Sequence, residues 1–344
     1  MDYYQKYLKY KHKFIVERYM KGGANDISIV TFNVLNSVSY VVKMLFLAHL
    51  ELLKTKYPSI NPKKLGEELA ILEEKRSKYR YQLLLEIFDV WYDDHKIICL
   101  QEVDIHLLEL IKQKYPQVYH TDGDDVNYIY VRNQKTKTVK KEFRVIIVPN
   151  IYKVNDIKII PLENNDAVKN GLMVNIQHND FKFIVINIHF HYKSLLTDFE
   201  LYANKISELI DVLPFIITGD FNNPLEDDKL NHFITKLNRK IETNESHLTS
   251  HDFTSHDTRI REGNPQYAII DHILTSGFDS SNVKVIDRVK DINIFYDVKH
   301  MLDVIDPDNK LTLPLDMEDL IEKLKVRDFV SDHKPIEIKL SYGN

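Results

Sequence analysis

Six stretches of this sequence run apolar and then break into side chains that bind metals or move protons. SIVTFN ends at Asn33, IICLQE at Gln101 and Glu102, and IVINIHFH at Asn187, His189 and His191. IITGDFNN ends at Asp220 and Asn222, AIID at Asp271, and VSDH supplies Asp332 and His333. Burying so many carboxylates, amides and imidazoles is unfavourable unless each finds a partner. A shared cation and an anionic substrate are partners that all of them can use. Hard oxygen donors such as Glu102 and Asp332 suit Mg²⁺, with Mn²⁺ as a substitute. A phosphate-centred hydrolysis needs charge neutralisation, an activated water and help for the leaving oxygen, and these residue types can supply all three. Zinc is the rival metal. His247 and His251 have HxxxH spacing, but HLTSH lacks the Glu of HExxH and reads as a loop.

The elements that must position these residues are mostly strands. Runs of β-branched and aromatic residues cover 27–34, 96–103, 127–133, 143–149, 171–177, 182–190, 214–221, 267–274 and 335–341. A sheet can bring several strand ends to one edge. Asp220 and Asn222 are two apart at one such end and so share a face. Between the strands, Leu84, Ile87, Phe88 and Trp91 follow helical spacing, and DMEDLIEKL (316–324) reads as a second helix. At the start, Tyr3, Tyr7, Tyr10 and Phe14 form an aromatic stripe interleaved with lysines. It reads as an amphipathic helix docking on the domain, and it is similar to the Tyr/Lys-rich leaders of large DNA virus proteins. The organisation expected is an appendage over 1–25 and one catalytic domain over 26–344. That domain carries helical insertions near 37–95 and 280–327.

Composition narrows the class. With 44% hydrophobic and 28% charged residues the chain reads as globular. Its 9 glycines include no Walker or dinucleotide fingerprint. Cys99, the one cysteine, lies in an apolar run and reads as a buried hydrophobe in a reducing, intracellular setting, cytoplasmic, nuclear or virion-borne. The most apolar helical stretch, 41–53, contains Lys43, His49 and Glu51 and is too short and charged to span a bilayer. Net charge is −5, so any nucleic-acid contact must come from a local basic patch. Lys135, Lys137, Lys140, Lys141 and Arg144 form such a run, read here as an exposed hairpin face.

FNVLN, LQEVD, NIHFH, GDFNNP, IDHIL and SDHKPI, in this order, resemble the motifs of the exonuclease–endonuclease–phosphatase superfamily over about residues 26–342. The resemblance implies the DNase-like fold: an α/β four-layer sandwich of two mostly antiparallel β-sheets flanked by helices. It implies Glu102 as principal ligand of Mg²⁺, with Asn33 and Asp332 close by. Asp220 and Asn222 would orient or activate the attacking water and hold the phosphate. His333 would contact the phosphate or transfer a proton, with Asp271 hydrogen-bonded to its imidazole. His189 would donate to a phosphate oxygen, supported by Asn187, and His191 is placed with the substrate-contacting residues.

The sequence departs from the family at Ile188, where many members have Thr, and at His272, where many have Tyr. FNVLN, the EEKRSKYRYQLLLEIF helix and LQEVD look most like the deadenylase and nocturnin-like branch. The substrate so implied is RNA or a nucleotide end. An inositol polyphosphate 5-phosphatase-like phosphomonoesterase ranks second, an abasic-site DNA endonuclease third. An inactive binding scaffold ranks last, because every expected metal and Asp-His position is filled.

Overall fold

The computed structural model describes residues 26–34, 80–127, 139–161, 170–191, 194–210, 212–243, 255–261, 264–279, 283–286 and 333–342. The Tyr/Lys stripe, the 316–324 segment, His247, His251, Lys135, Lys137 and Asp332 lie outside these residues. Among the described residues, no helix is long and apolar enough to cross a membrane.

Two sheets form the middle of the fold. The first contains β1 (Asp26–Asn33), β2 (Ile97–Val103), β3 (Val118–His120), β4 (Asp124–Asn127), β5 (Val139–Ile147), β13 (Lys284–Val285) and β14 (Ile336–Ser341). Its order is β13-β14-β1-β2-β5-β3, with β4 also pairing β5. The second contains β6 (Lys153–Ile160), β7 (Gly171–His178), β8 (Phe181–His189), β9 (Phe215–Asp220) and β12 (Asp271–Ser276), in the order β12-β9-β8-β7-β6. Only β1 with β2 and β8 with β9 run parallel within these sheets. A separate hairpin joins β10 (Ser255–Arg261) to β11 (Asn264–Ala268).

The alternation of side chains explains the layers. On β1, Ile27 and Ile29 enter the core between the sheets, whereas Val30 and Phe32 face outward. On β8, Phe183 and Val185 point inward while Ile184, Ile186 and Ile188 face the other way. Both faces of these strands are buried, so their sequences are nearly continuous apolar runs. The outer face of the first sheet packs on helix α1 (80–93), through Leu84, Phe88 and Trp91, and on α2 (Ile105–Lys114). The second sheet packs on α3 (Leu196–Leu209) and α4 (Asp228–Lys236), through Phe199, Tyr202 and Phe233. Helix, sheet, sheet and helix give the four-layer sandwich expected. Each fully buried Ile or Phe contributes roughly 1.5–3 kcal/mol of burial.

Three sequence expectations change. The 267–274 run is two elements, because β11 ends at Ala268 and β12 begins at Asp271, with the Ile270 carbonyl taken by Phe221 N (2.9 Å). Strand β6 was not expected: its KVNDIKII sequence is largely exposed and lacks a buried row. Arg144, grouped with an exposed basic run, is 0% exposed, because the alternation of β5 turns it inward with Ile146 and Val148.

Candidate active site

The inward rows that build the core between the sheets become polar at one end. Ile27 and Ile29 are followed by Thr31 and Asn33; Ile97 and Cys99 by Gln101; Phe183 and Val185 by Asn187 and His189; Ile216 by Thr218 and Asp220. Strand β12 runs antiparallel to β9, so its row begins with Asp271 before Ile273. His189 and Asp220 are register partners, as are Asp271 and Asp220. Thus one parity rule carries these side chains to the open end of a single layer. Cys99 belongs to the apolar part; burial pushes its thiol well above the usual range, so it is a hydrophobe here.

Asp220 is the centre of the cluster. Its Oδ2 accepts from Asn33 Nδ2 (3.0 Å) and lies 3.5 Å from His189 Nε2 and 3.7 Å from His333 Nε2. Its Oδ1 accepts from the backbone N–H of Asn222 (2.8 Å). Asn33 Nδ2 also donates to Glu102 Oε1 (3.1 Å), which is 3.8 Å from His189 Nε2. On the far side, His333 Nδ1 donates to Asp271 Oδ2 (2.8 Å), which fixes the tautomer that leaves Nε2 toward Asp220 and Asn33. Burial pushes the Asp220 carboxyl up to about 7. The His333 imidazole opposes that rise, the Asp271 carboxylate adds to it, and the bonds from Asn33 and Asn222 oppose it.

The donor set fits a hard divalent cation. Glu102, His189 and Asp220 offer ligand atoms within 4.8 Å of one another, and so do Asp220, Asp271 and His333. Asn33 aims its amide between the Glu102 and Asp220 carboxylates; turned over, the same amide would present Oδ1 to a cation held there.

Local backbone devices aim these groups. Glu102 has a left-handed φ of 56° at a register shift between β2 and β5, so a bulge turns its carboxylate out of the row toward Asn33. Asn222 has a φ of 53°, and its Nδ2 donates to Phe190 O (2.7 Å). Gly219 sits at a φ of 144°, where a Cβ would lie 1.9 Å from Ile188 O on the paired strand. Gly219→Ala should force apart the two strands that carry His189 and Asp220. We expect a loss of at least about 3 kcal/mol of stability, read from the denaturant midpoint. An unchanged midpoint would mean that the strands yield freely.

Beneath the cluster lies a polar truss. Gln101 Nε2 donates to Thr31 Oγ1 (2.9 Å) and Asn187 Oδ1 (2.6 Å), while Asn187 Nδ2 donates to Leu100 O and Val145 O, both at 2.9 Å. Asn187 is fully buried and ties β8 to β2 and β5, which supports the strand that ends in His189. His191 lies half-buried past the end of β8, its carbonyl accepting from Ser194 N (2.8 Å).

Sequence reading did not single out Arg80, Gln101 or His272 for positioning roles. Buried Arg80 donates through Nη2 to Val34 O, immediately after Asn33. His272 Nε2 donates to Asn223 O (2.8 Å) and its ring meets Phe221 edge-on, so it braces the loop that carries Asn222. No sequence signal marks the partners of Arg80 and His272, because each acts on a backbone carbonyl remote in sequence, whereas Gln101 acts on the side chains of Thr31 and Asn187.

Two facing sheets with helices outside match the fold of solved endonuclease/exonuclease/phosphatase proteins. The chain has that fold. The endonuclease/exonuclease/phosphatase from Bacteroides vulgatus superposes with a TM-score of 0.54 at 15% identity, over 92% of this chain and 99% of that one. A mannosyl-6-phosphatase from Bacteroides thetaiotaomicron gives 0.53 at 16% identity, over 92% and 100%. TDP2 from D. rerio, complexed with a single-strand DNA product, gives 0.54 at 14% identity, over 92% and 99%. No family model and no curated protein matches the sequence.

Proposed function

We propose that this chain is a divalent-metal-dependent phosphoesterase, most at home on phosphodiesters of RNA or nucleotide ends. The observation that carries the reading is the convergence of Asn33, Glu102, His189, Asp220 and the Asp271–His333 pair in one buried cluster on this fold. The motifs from FNVLN through the helix to LQEVD favour the deadenylase and nocturnin-like branch as the source of substrate. A reducing intracellular compartment suits buried Cys99.

Glu102, with Asn33 and Asp332, would hold Mg²⁺ or Mn²⁺; the bound cation neutralises charge on the phosphate and lowers the pKa of water. Asp220, held by Asn33 and the Asn222 N–H, would accept a proton from the attacking water. The Asn222 N–H keeps Oδ1 of that carboxylate fixed while Oδ2 faces the reacting centre. His189 would donate from Nε2 to a phosphate oxygen. His333 Nε2, with Asp271 stabilising the positive charge on the ring, would donate to another oxygen or protonate the leaving group. His191, at the rim, would contact the substrate beyond the scissile phosphate.

The test is hydrolysis of oligoadenylate, abasic DNA, inositol phosphates and a chromogenic diester with Mg²⁺, with Mn²⁺ and with chelator. The expected outcome is cleavage of oligoadenylate and of the chromogenic diester, restored after chelation by either cation. Preference for inositol phosphates would move the assignment to a phosphomonoesterase. No hydrolysis of any member with either metal would leave a binding scaffold.

A further inference from the structure

One buried cation stands apart from the chemistry above. Arg144 continues the inward row of β5, beyond Val148 and Ile146, toward the polar end of the layer. Its backbone is held by Thr121, with Thr121 N donating to Arg144 O (3.1 Å) and Arg144 N donating to Thr121 Oγ1 (3.2 Å). Val145 pairs with Leu100 and Phe143 with Val103, so Arg144 lies opposite the bulge that contains Gln101 and Glu102. Across the layer, β7 begins at Gly171, whose missing side chain leaves room for the Tyr202 hydroxyl; a Cβ there would lie 2.1 Å from Oη. That hydroxyl is within electrostatic reach of the guanidinium.

The guanidinium is not exposed at all, and Nη2 donates to Asp124 Oδ2. Asp124 is itself held by Asn170 N, which donates to Oδ1 (3.4 Å). Among the described residues, Nε and Nη1 of Arg144 meet no hydrogen-bond acceptor. Burial pushes the group down to about 10, so it remains a cation at neutral pH. A buried cation with two unanswered donors is unfavourable, and an anionic oxygen is the partner that would answer both.

We infer that Arg144, steadied by Asp124, anchors a second phosphate of the substrate beside the one handled at Asp220. This deepens the phosphoesterase reading and rests on it: the preferred substrate carries two neighbouring phosphates, as a nucleotide chain or a nucleoside bisphosphate does. Guanidinium geometry suits a phosphate better than an ammonium does, because several N–H groups can meet one anion.

Thymidine 3′,5′-bisphosphate and thymidine 5′-monophosphate are titrated calorimetrically into the chelator-treated full chain, where a metal-dependent enzyme cannot turn over. The bisphosphate should bind roughly tenfold more tightly to the wild type. In Arg144→Gln that ratio should fall to about 1, and Arg144→Lys should keep part of it. Where Arg144→Gln fails to fold, Arg144→Lys serves instead, with the ratio expected to fall roughly threefold. Equal affinity of the wild type for both ligands, or equal weakening of both by the variant that folds, would overturn the subsite and leave Arg144 a bolt between the sheets. A bisphosphate preference that depends on Arg144 in a chain that hydrolyses nothing would instead overturn the phosphoesterase reading and leave the anion site standing.

Discussion

Asp220→Asn should stabilise the metal-free protein at pH 8 by about a few kcal/mol and lower the turnover of the metal-loaded protein by at least about 10³-fold. The two effects have one origin. In the unfolded chain Asp220 ionises near 3.8, and in the fold burial pushes it up to about 7. Between those values the unfolded chain releases a proton that the folded chain retains. Wild-type stability therefore falls as pH rises from about 4 to about 7 and is level above that. Asparagine cannot ionise, so the variant escapes the loss, and its advantage should grow from pH 5 to pH 8. The Asn33 and Asn222 donors to this residue make the replacement less than ideal, which trims the gain. Saturating Mg²⁺ should close or reverse the gap, because a cation bound only by the ionised wild-type cluster stabilises that form alone. Thermal melts of both proteins at several pH values, with metal and with chelator, decide the matter. An advantage that does not vary with pH would remove Asp220 as the neutral-range acid, and an advantage untouched by Mg²⁺ would remove it from the metal site.

Asp271→Asn and His333→Ala should each lower single-turnover rates by roughly 10²–10⁴-fold, and the double variant should lose little more than the worse of the two. The basis is the 2.8 Å bond from His333 Nδ1 to Asp271 Oδ2, buried on both sides. Without the carboxylate the ring can take the other tautomer, and a positive charge on it is no longer stabilised. Once the imidazole is gone, Asp271 has nothing to orient. Four rates measured under saturating metal complete the cycle. Multiplicative losses would show two residues acting independently and would end the dyad proposal.

Much of the site is legible in the sequence because strand parity is local. Asn33, Gln101, Asn187, His189, Asp220 and Asp271 each sit two residues, or a multiple of two, from an apolar residue of the inner core on the same strand. Neighbouring residues alone thus determine that these polar groups continue inward rows and that the rows end at strand tips. The same apolar runs, with helical spacing between them, are compatible with the four-layer architecture, which the family resemblance and not the periodicity implied. The order of short motifs adds a family resemblance.

Which tips meet is a property of the tertiary structure alone, because pairing across a sheet or between sheets is nearly independent of local sequence. Asn33 reaches Asp220 over 187 residues, and His333 reaches Asp271 over 62. The bulge that turns Glu102 toward Asn33 exists only because β5 pairs with β2 out of register there. Arg144 shows the limit most clearly: its neighbours Lys140 and Lys141 suggested a solvated basic face. The pairing of β5 with β2, and the second sheet laid over it, instead enclosed its guanidinium with Asp124. Charge pattern is read along the chain, whereas burial is set by what packs on top, and the second sheet that faces the inward row of β5 begins only at Lys153.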